Sequence, residues 1–337
     1  MPVDVAIVGP PGSGKTTLFR ALTGGRSSDG VGMVDVPDPR LDRLAVAIRP
    51  RRVIPAQVRV VDAPPGSRAQ RIASAREADV VVEVVRGFGA DRDPVSDLEG
   101  IELDLAVADL ASVERRLETV SREVRAGRKE RAAELAALER ARQHLDTGGT
   151  LATLELDAQS AGFLAPLFPV SAKPRVVVVN IGDDLLPDGG VLAERVREWM
   201  GSRGWPMLVV DAQLEFELGQ LDPADAREMR ATYGIPETSL KAVARAVWEA
   251  GGLITFFTAG EPEVRAWPCQ RDTPAPAAAG VIHSDFEKGF IRAEVTSVEE
   301  LVSAGSMEAL RAMGRLRVEG RDYRLHDGDV VYFRVSR

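Results

Sequence analysis

Gly9-Pro10-Pro11-Gly12-Ser13-Gly14-Lys15-Thr16 stands between the apolar run Val3-Asp4-Val5-Ala6-Ile7-Val8 and Thr17-Leu18-Phe19-Arg20-Ala21-Leu22. The order is strand, glycine-rich turn, amphipathic helix, and the turn reads G-x-x-x-x-G-K-T, which together form the context a phosphate-binding P-loop requires. The glycines let the backbone curl so that successive N–H groups point inward, and the helix N-terminus adds a favourable dipole. The expected nucleotide-binding residues here are Gly9, Gly12, Ser13, Gly14, Lys15, Thr16 and Thr17. Lys15 is placed to reach the β- and γ-phosphates, and the Thr16 hydroxyl to hold Mg²⁺. A strand–helix turn with an incidental lysine is the alternative, and the agreement of strand, motif and helix argues against it.

Further along, Val58-Arg59-Val60-Val61-Asp62 reads as a strand ending in an aspartate. Asp62 is expected at the metal site, in contact with Mg²⁺ through water; the alternative is a strand-end acid capping a turn. GTPase-fold proteins usually continue D-x-x-G here, with the glycine amide sensing the γ-phosphate. This chain continues Asp62-Ala63-Pro64-Pro65-Gly66, and proline has no N–H to offer from position 65. A second strand, Val176-Val177-Val178-Val179, ends in Asn180-Ile181-Gly182-Asp183. Guanine-specific proteins read N-K-x-D at this place, so Ile181 removes the lysine that packs over the base and weakens a guanine assignment. Asn180 and Ile181 are the expected base-facing pair. Met207-Leu208-Val209-Val210 then leads to Asp211-Ala212, where such folds carry a second base loop.

These stretches, with several others, make the chain similar to the YchF family, Obg-related P-loop proteins of GTPase fold that prefer ATP. The resemblance runs nearly end to end. It is carried by Val36-Pro37-Asp38-Pro39-Arg40-Leu41-Asp42-Arg43-Leu44, Val84-Val85-Arg86-Gly87-Phe88 and Leu105-Ala106-Val107-Ala108-Asp109-Leu110. Most specific are Gly252-Leu253-Ile254-Thr255-Phe256-Phe257-Thr258-Ala259-Gly260 and the run from Ala278-Ala279-Gly280-Val281-Ile282-His283 to Gly289-Phe290-Ile291-Arg292. The family's base loop is N-hydrophobic-x-E; Asn180 and Ile181 match, while Asp183 is one methylene shorter than the glutamate. Both switches are trimmed: Gly25–Gly30 runs almost directly into Val31-Gly32-Met33-Val34, and only Ser67-Arg68-Ala69-Gln70-Arg71 follows Gly66. Retained nucleotide binding is therefore a firmer expectation than retained hydrolysis. Arg68 and Arg71 read as a solvated pair, with charge stabilisation during hydrolysis as the alternative.

Leu103, Leu110, Val113, Leu117, Val120 and Val124 step by 7, 3, 4, 3 and 4, the a/d stripe of a helix packed on a partner. A helix over 103–125 extends about 35 Å. Gly127 interrupts the pattern, and Leu135, Leu138 and Leu145 resume it. The prediction is a helical hairpin. Arg122, Arg125, Arg128, Lys129 and Arg131 cluster near its bend, as a solvated tip or, alternatively, an RNA-phosphate contact.

Phosphate loop and base loop lie on opposite sides of the hairpin, yet both must meet one nucleotide at the strand C-termini. The expected fold class is α/β, a P-loop GTPase-like doubly wound sheet interrupted by a helical hairpin, plus a carboxy-terminal β-grasp-like domain. The expected boundaries are 1–102 and 170–250 for the nucleotide domain, 103–169 for the hairpin and 251–337 for the last domain. Arg227–Tyr233 and Ser239–Glu249 read as helices with Pro236 between them. Short alternating strands such as Phe290–Val295 and Val330–Val335 support the last domain's reading. It resembles the family's TGS-type module, which implies RNA or ribosome contact. His283, Lys288, Arg292 and Arg321 are the candidate contacts, an ordinary sheet surface the alternative.

Composition narrows the classes further. With 337 residues, 45% hydrophobic and 28% charged, the chain is not a disordered one. No apolar run approaches the ~20 residues of a membrane span, and the N-terminus reads as a strand and not as a secretory signal. One cysteine, Cys269, and three scattered histidines make neither a disulfide nor a metal cluster. His283 beside Ser284 and Asp285 invites a triad reading, but adjacent residues point in different directions and cannot form that relay. The net charge of −8 argues against wholesale nucleic-acid coating, and nothing indicates DNA specificity. A cytoplasmic protein is expected, binding Mg²⁺ with ATP, or GTP, and with the ribosome or an RNA as partner. Slow β–γ hydrolysis is the first functional reading and a hydrolysis-impaired binding module the second. A kinase-like phosphotransferase fits the loop's wording but not the downstream resemblance.

Overall fold

The computed structural model describes residues 3–25, 27, 29–62, 68–235 and 239–336. Twelve strands occur among them: β1 (Val3–Val8), β2 (Val31–Val36), β3 (Val53–Ile54), β4 (Ala56–Asp62), β5 (Val80–Gly87), β6 (Arg175–Ile181), β7 (Met207–Val210), β8 (Leu253–Ala259), β9 (Val264–Gln270), β10 (Phe290–Ser297), β11 (Arg317–Glu319) and β12 (Asp329–Val335). The first seven α-helices are α1 (Lys15–Thr23), α2 (Pro39–Ile48), α3 (Arg68–Glu77), α4 (Pro94–Arg125), α5 (Ala132–Asp146), α6 (Ala158–Leu164) and α7 (Gly190–Met200). The others are α8 (Ala212–Leu218), α9 (Pro223–Tyr233), α10 (Ser239–Ala250), α11 (Ala275–Ile282), α12 (Ser284–Lys288), α13 (Val298–Ala304) and α14 (Met307–Ala312). No helix among the described residues is long and apolar enough to cross a membrane.

The strands form two six-stranded sheets, ordered β2-β4-β1-β5-β6-β7 and β11-β10-β12-β8-β9-β3. In the first, β1 pairs with β5, β5 with β6 and β6 with β7, all parallel. Parallel strands covered on both faces read as unbroken apolar runs, and every residue of β6 is buried, as is all of β5 except Arg86. Because these strands share one direction, their carboxy ends Val8, Gly87, Ile181 and Val210 fall on one rim, where the crevice of an open α/β sheet binds ligands. This is the α/β sheet with inserted hairpin that the sequence predicts.

Two compact units result, and their limits differ from those drawn by motif. The larger comprises Asp4–Gly32 and Val60–Val243; the smaller comprises Met33–Arg59 and Ala244–Arg337, with Met1–Val3. Residues 33–59 share a unit with residues 244–337 through contacts remote in sequence. In the smaller unit β3 pairs with β9, and Arg40 bridges Asp38 at 2.7 Å and Asp327 at 2.7 Å. The Val36–Leu44 motif thus has a structural use there. Phe256, Phe290 and Phe333 fill the core of that unit.

In the larger unit the hairpin exists, with two corrections. Its first helix begins at Pro94, not 103, since proline after Asp93 is preorganised for the first helical turn. Leu98, Ile101 and Leu105 then pack into the sheet's core. Leu103 is 55% exposed; Ala106 takes its place in the stripe, and with Val113 and Val120 it packs on Leu138, Ala141 and Leu145. At the bend, Arg131 pairs with Glu123 and Glu134 and Arg128 with Glu123, so these two members of the basic cluster are ion-paired within the hairpin, and Arg116 beside it pairs with Glu134. Asp109, 1% exposed, fastens the hairpin's root by accepting from Val170 N at 2.9 Å and Ser171 N at 2.7 Å.

Candidate nucleotide-binding site

The loop between β1 and α1 adopts the curled path its glycines predict. Gly9 must lack a side chain, because a Cβ there would lie 2.3 Å from the Val84 carbonyl oxygen on β5. Gly14 has φ +86°, and its Cβ would sit 2.1 Å from Asn180 Nδ2, so it is excluded both by backbone conformation and by space. Lys15 Nζ folds back to donate to the Pro10 carbonyl at 2.7 Å. Burial pushes the Lys15 pKa down, and the Asp62 carboxylate opposes that shift. An ammonium held over the loop's own carbonyl is already at the place where phosphate oxygens would take over as acceptors.

Asn180, at the end of β6, is 4% exposed and joins two loops. Its Nδ2 donates to the Ser13 carbonyl at 2.9 Å, and its Oδ1 accepts from Ala212 N at 3.0 Å. Ser13 O can only accept and Ala212 N can only donate, so the two partners fix the orientation of the carboxamide. Asn180 therefore lines the cleft while its side chain is spent on positioning the phosphate loop and the start of α8. Sequence reasoning assigned it to the base; the partners are 167 and 32 residues away, which no local pattern announces.

Beside this junction lies a cleft of about 490 Å³. It is lined by Gly14, Thr17, Phe88, Asn180, Ile181, Gly182, Asp183, Asp211, Gln213, Leu214, Glu217 and Tyr233. The volume suits a drug-sized ligand. Phe88, Gln213, Leu214, Glu217 and Tyr233 were not singled out as site residues from sequence; Phe88 at the end of β5 and the segment after Asp211 were the available signals. Asp211 caps α8, accepting from Leu214 N at 3.0 Å, and burial raises its pKa. Gln213 Nε2 donates to Glu217 Oε1 at 2.6 Å. Among the described lining residues the charged groups are all carboxylates, so the wall favours a ring whose edge presents N–H donors.

Thr16 and Asp62 meet on the phosphate side. The Thr16 hydroxyl hydrogen-bonds the Asp62 side chain; burial, the larger influence, raises the Asp62 pKa, while Thr16 and Lys15 pull it down. Asp62 Oδ1 is buried with no hydrogen-bond partner among the described residues. A hydroxyl plus a carboxylate with a spare oxygen suits Mg²⁺, which takes oxygen ligands and retains waters. No group of three or more His, Cys, Asp or Glu side chains among the described residues is arranged to hold a metal ion. Gly30 fixes the approach to Asp62, whose N–H donates to Gly30 O at 2.8 Å.

The remaining candidates do not line the cleft beside Asn180. Pro65 and Ser67 lie outside the described residues. Arg68 and Arg71 open α3, where Arg68 Nε meets Asp104 Oδ1 at 2.7 Å and Arg71 approaches Asp104 Oδ2 at 3.8 Å; they are ion-paired. In the smaller unit, His283 caps α12 by accepting from Asp285 N, which uses its Nδ1 for structure. Arg321 donates to Phe290 O at 3.1 Å, Arg292 lies 3.7 Å from Glu294, and Lys288 lies 4.0 Å from Asp285. Burial pushes the Cys269 thiol up to about 12, which starves it of thiolate.

Residues 4–120 match the model described as a 50S ribosome-binding GTPase, and residues 253–336 match the carboxy-terminal model of YchF GTPases, described as a protein of unknown function. The ribosome-binding ATPase YchF of Bacillus subtilis is 32% identical over 365 residues, with 100% of each chain covered. Its counterpart from Haemophilus influenzae is 36% identical over 357 residues, with 98% of each covered. The solved structure of the Schizosaccharomyces pombe YchF GTPase superposes with a TM-score of 0.87 at 28% identity, covering 98% of this chain and 97% of that one. Full-length relatives above 30% identity, on top of the P-loop, the Asn180 junction and the two-sheet fold, mean that the chain belongs to the YchF family.

Proposed function

We propose that this protein binds a purine nucleoside triphosphate with Mg²⁺, prefers ATP to GTP, hydrolyses the β–γ bond slowly, and acts in association with the ribosome in the cytoplasm. The observation that carries the reading is the convergence of Lys15, Thr16, Asp62 and the Asn180 junction on one rim of the parallel sheet. The P-loop amides and Lys15 hold the phosphates, Thr16 and Asp62 hold the metal, and Ile181 with Phe88 offers apolar surface to the base. Mg²⁺, when bound, neutralises charge on the β- and γ-oxygens. Isoleucine at 181 supplies no cation for a guanine-type contact, which favours ATP. Ribosome association is carried over from the printed names of the relatives, with the carboxy-terminal sheet, read as TGS-type, as the contacting part.

A second reading, a hydrolysis-impaired binding module, is favoured by Pro65 and the shortened switch stretches in the sequence. Turnover measured with and without ribosomes separates the two. Stimulated phosphate release supports the first, and ribosome sedimentation without turnover supports the second. Failure to bind MgATP sinks both.

A further inference from the structure

Helix α9 buries none of its residues, yet local chemistry fixes both of its ends. Asp222 caps the start by accepting from Ala224 N at 2.9 Å, and Pro223 fills the first helical position. Gly234, at φ +65°, ends the helix, with its N–H on the Ala231 carbonyl and the Ile235 N–H on that of Arg230. No apolar face holds α9 in place; an ion pair does. Arg230 donates to both oxygens of Glu215 on α8, at 2.8 and 2.5 Å, and Glu215 is 2% exposed. A bidentate guanidinium–carboxylate pair fixes direction as well as distance.

Helix α8 is itself pinned, since Asn180 Oδ1 accepts from Ala212 N and Asp211 caps Leu214 N. Asn180 also donates to Ser13. Fixed contacts therefore run from the phosphate loop through Asn180 and α8 to Arg230. Tyr233 stands three residues beyond Arg230, on the same face of α9, and lines the cleft of about 490 Å³ to which Gly14 and Thr17 also contribute. It is 41% exposed, and its ring and hydroxyl make no hydrogen bond or ring contact among the described residues. The charged groups of the lining are all carboxylates, which repel phosphate. A triphosphate held by the phosphate loop thus leaves the rest of this cleft to its neutral base.

We propose that Tyr233 is a base-stacking residue, whose ring packs on the purine of the bound nucleotide. The proposal rests on the nucleotide-binding reading above and adds to it a contact from outside the loops that its motifs mark. Stacking uses the π-face that every base carries. Tyr233 therefore adds affinity without choosing adenine over guanine, and the Arg230–Glu215 pair serves to present it. An otherwise unburied helix fastened beside the cleft has a use on this account: it delivers one aromatic ring to the ligand.

The test is calorimetric titration of the full chain, in Mg²⁺, with ATP, with GTP and with inorganic tripolyphosphate, which carries the phosphates without the base. Tyr233→Ala is expected to weaken ATP and GTP binding about tenfold each and to leave tripolyphosphate binding unchanged. Tyr233→Phe, which keeps the ring, is expected to bind all three as the wild type does. Should Tyr233→Ala unfold, Tyr233→Leu is measured in its place, with the same pattern expected. Equal ATP binding by the ringless variant and wild type overturns the proposal, as does a loss equal for ATP and tripolyphosphate. A loss confined to one of the two purine nucleotides also overturns it, because a stacked ring does not tell them apart. Wild-type protein binding neither nucleotide overturns the nucleotide reading itself, and this proposal with it.

Discussion

Asn180 Nδ2 donates to the Ser13 carbonyl at 2.9 Å, tying the end of β6 to the phosphate loop. The same carboxamide accepts from Ala212 N, so base side and phosphate side share one fastener. Asn180→Asp keeps the shape but cannot donate to Ser13 O. The expected cost is about 1–3 kcal/mol of stability for the unpaired buried carbonyl, with ATP and GTP affinity falling together by roughly tenfold. Thermal unfolding and titration of both nucleotides check this; a loss confined to one base would mean that Asn180 reads the base directly.

Asp62 is assigned to the metal on the strength of its orphaned Oδ1 and its bond with Thr16. Asp62→Asn is therefore expected to shrink the gain in ATP affinity on adding Mg²⁺ by about tenfold, with metal-free affinity unchanged or improved. An unchanged response to Mg²⁺ would remove Asp62 from the site.

At the amino end of β6, fully buried Arg175 meets Glu83 of β5 at 3.1 Å, contacts Glu102 as well, and stacks over Trp205 at 4.5 Å. One cation cannot balance two carboxylates. Burial pushes Glu83 from 4.5 up to about 7, with Arg175 only partly offsetting it, and Glu102 is raised as well. The folded protein then binds more protons than the unfolded chain between these values, so this group's contribution is complete below about pH 4.5 and is lost as pH rises through 7. Melting temperature measured from pH 5 to pH 8 should decline less in Glu83→Gln than in the wild type. Parallel profiles would contradict the raised carboxyl.

Asp109 carries two backbone N–H groups, those of Val170 and Ser171. Asp109→Ala leaves both unpaired at the root of the hairpin, and a loss of about 2–5 kcal/mol is expected in denaturant unfolding. Hydrogen exchange should rise first at these two amides.

The phosphate loop was legible because its chemistry is local: eight consecutive residues hold the strand, turn and helix together. Val-rich β5 and β6 were legible because double burial leaves a continuous apolar run. The hairpin stripe was read correctly from Leu110 onward but began at the wrong residue. Leu103 fits heptad spacing, while the core of the sheet had already claimed the face carrying Leu98, Ile101 and Leu105. Asp93-Pro94 is the local start signal of α4, and heptad spacing does not carry it. Long-range contacts were not legible at all. Residues 33–59 share a unit with the carboxy-terminal residues through β3 and Arg40–Asp327, and Phe88, Gln213 and Glu217 reach the cleft only through strand order.

Calorimetric titration of the nucleotide-free protein with ATP and with GTP, each with and without Mg²⁺ and repeated on Lys15→Ala, is the decisive measurement for nucleotide binding at the phosphate loop. Tighter ATP binding is expected, strengthened by Mg²⁺ and abolished or weakened at least about 100-fold in Lys15→Ala. Equal MgATP binding by Lys15→Ala and wild type, or tighter binding of GTP, would contradict it.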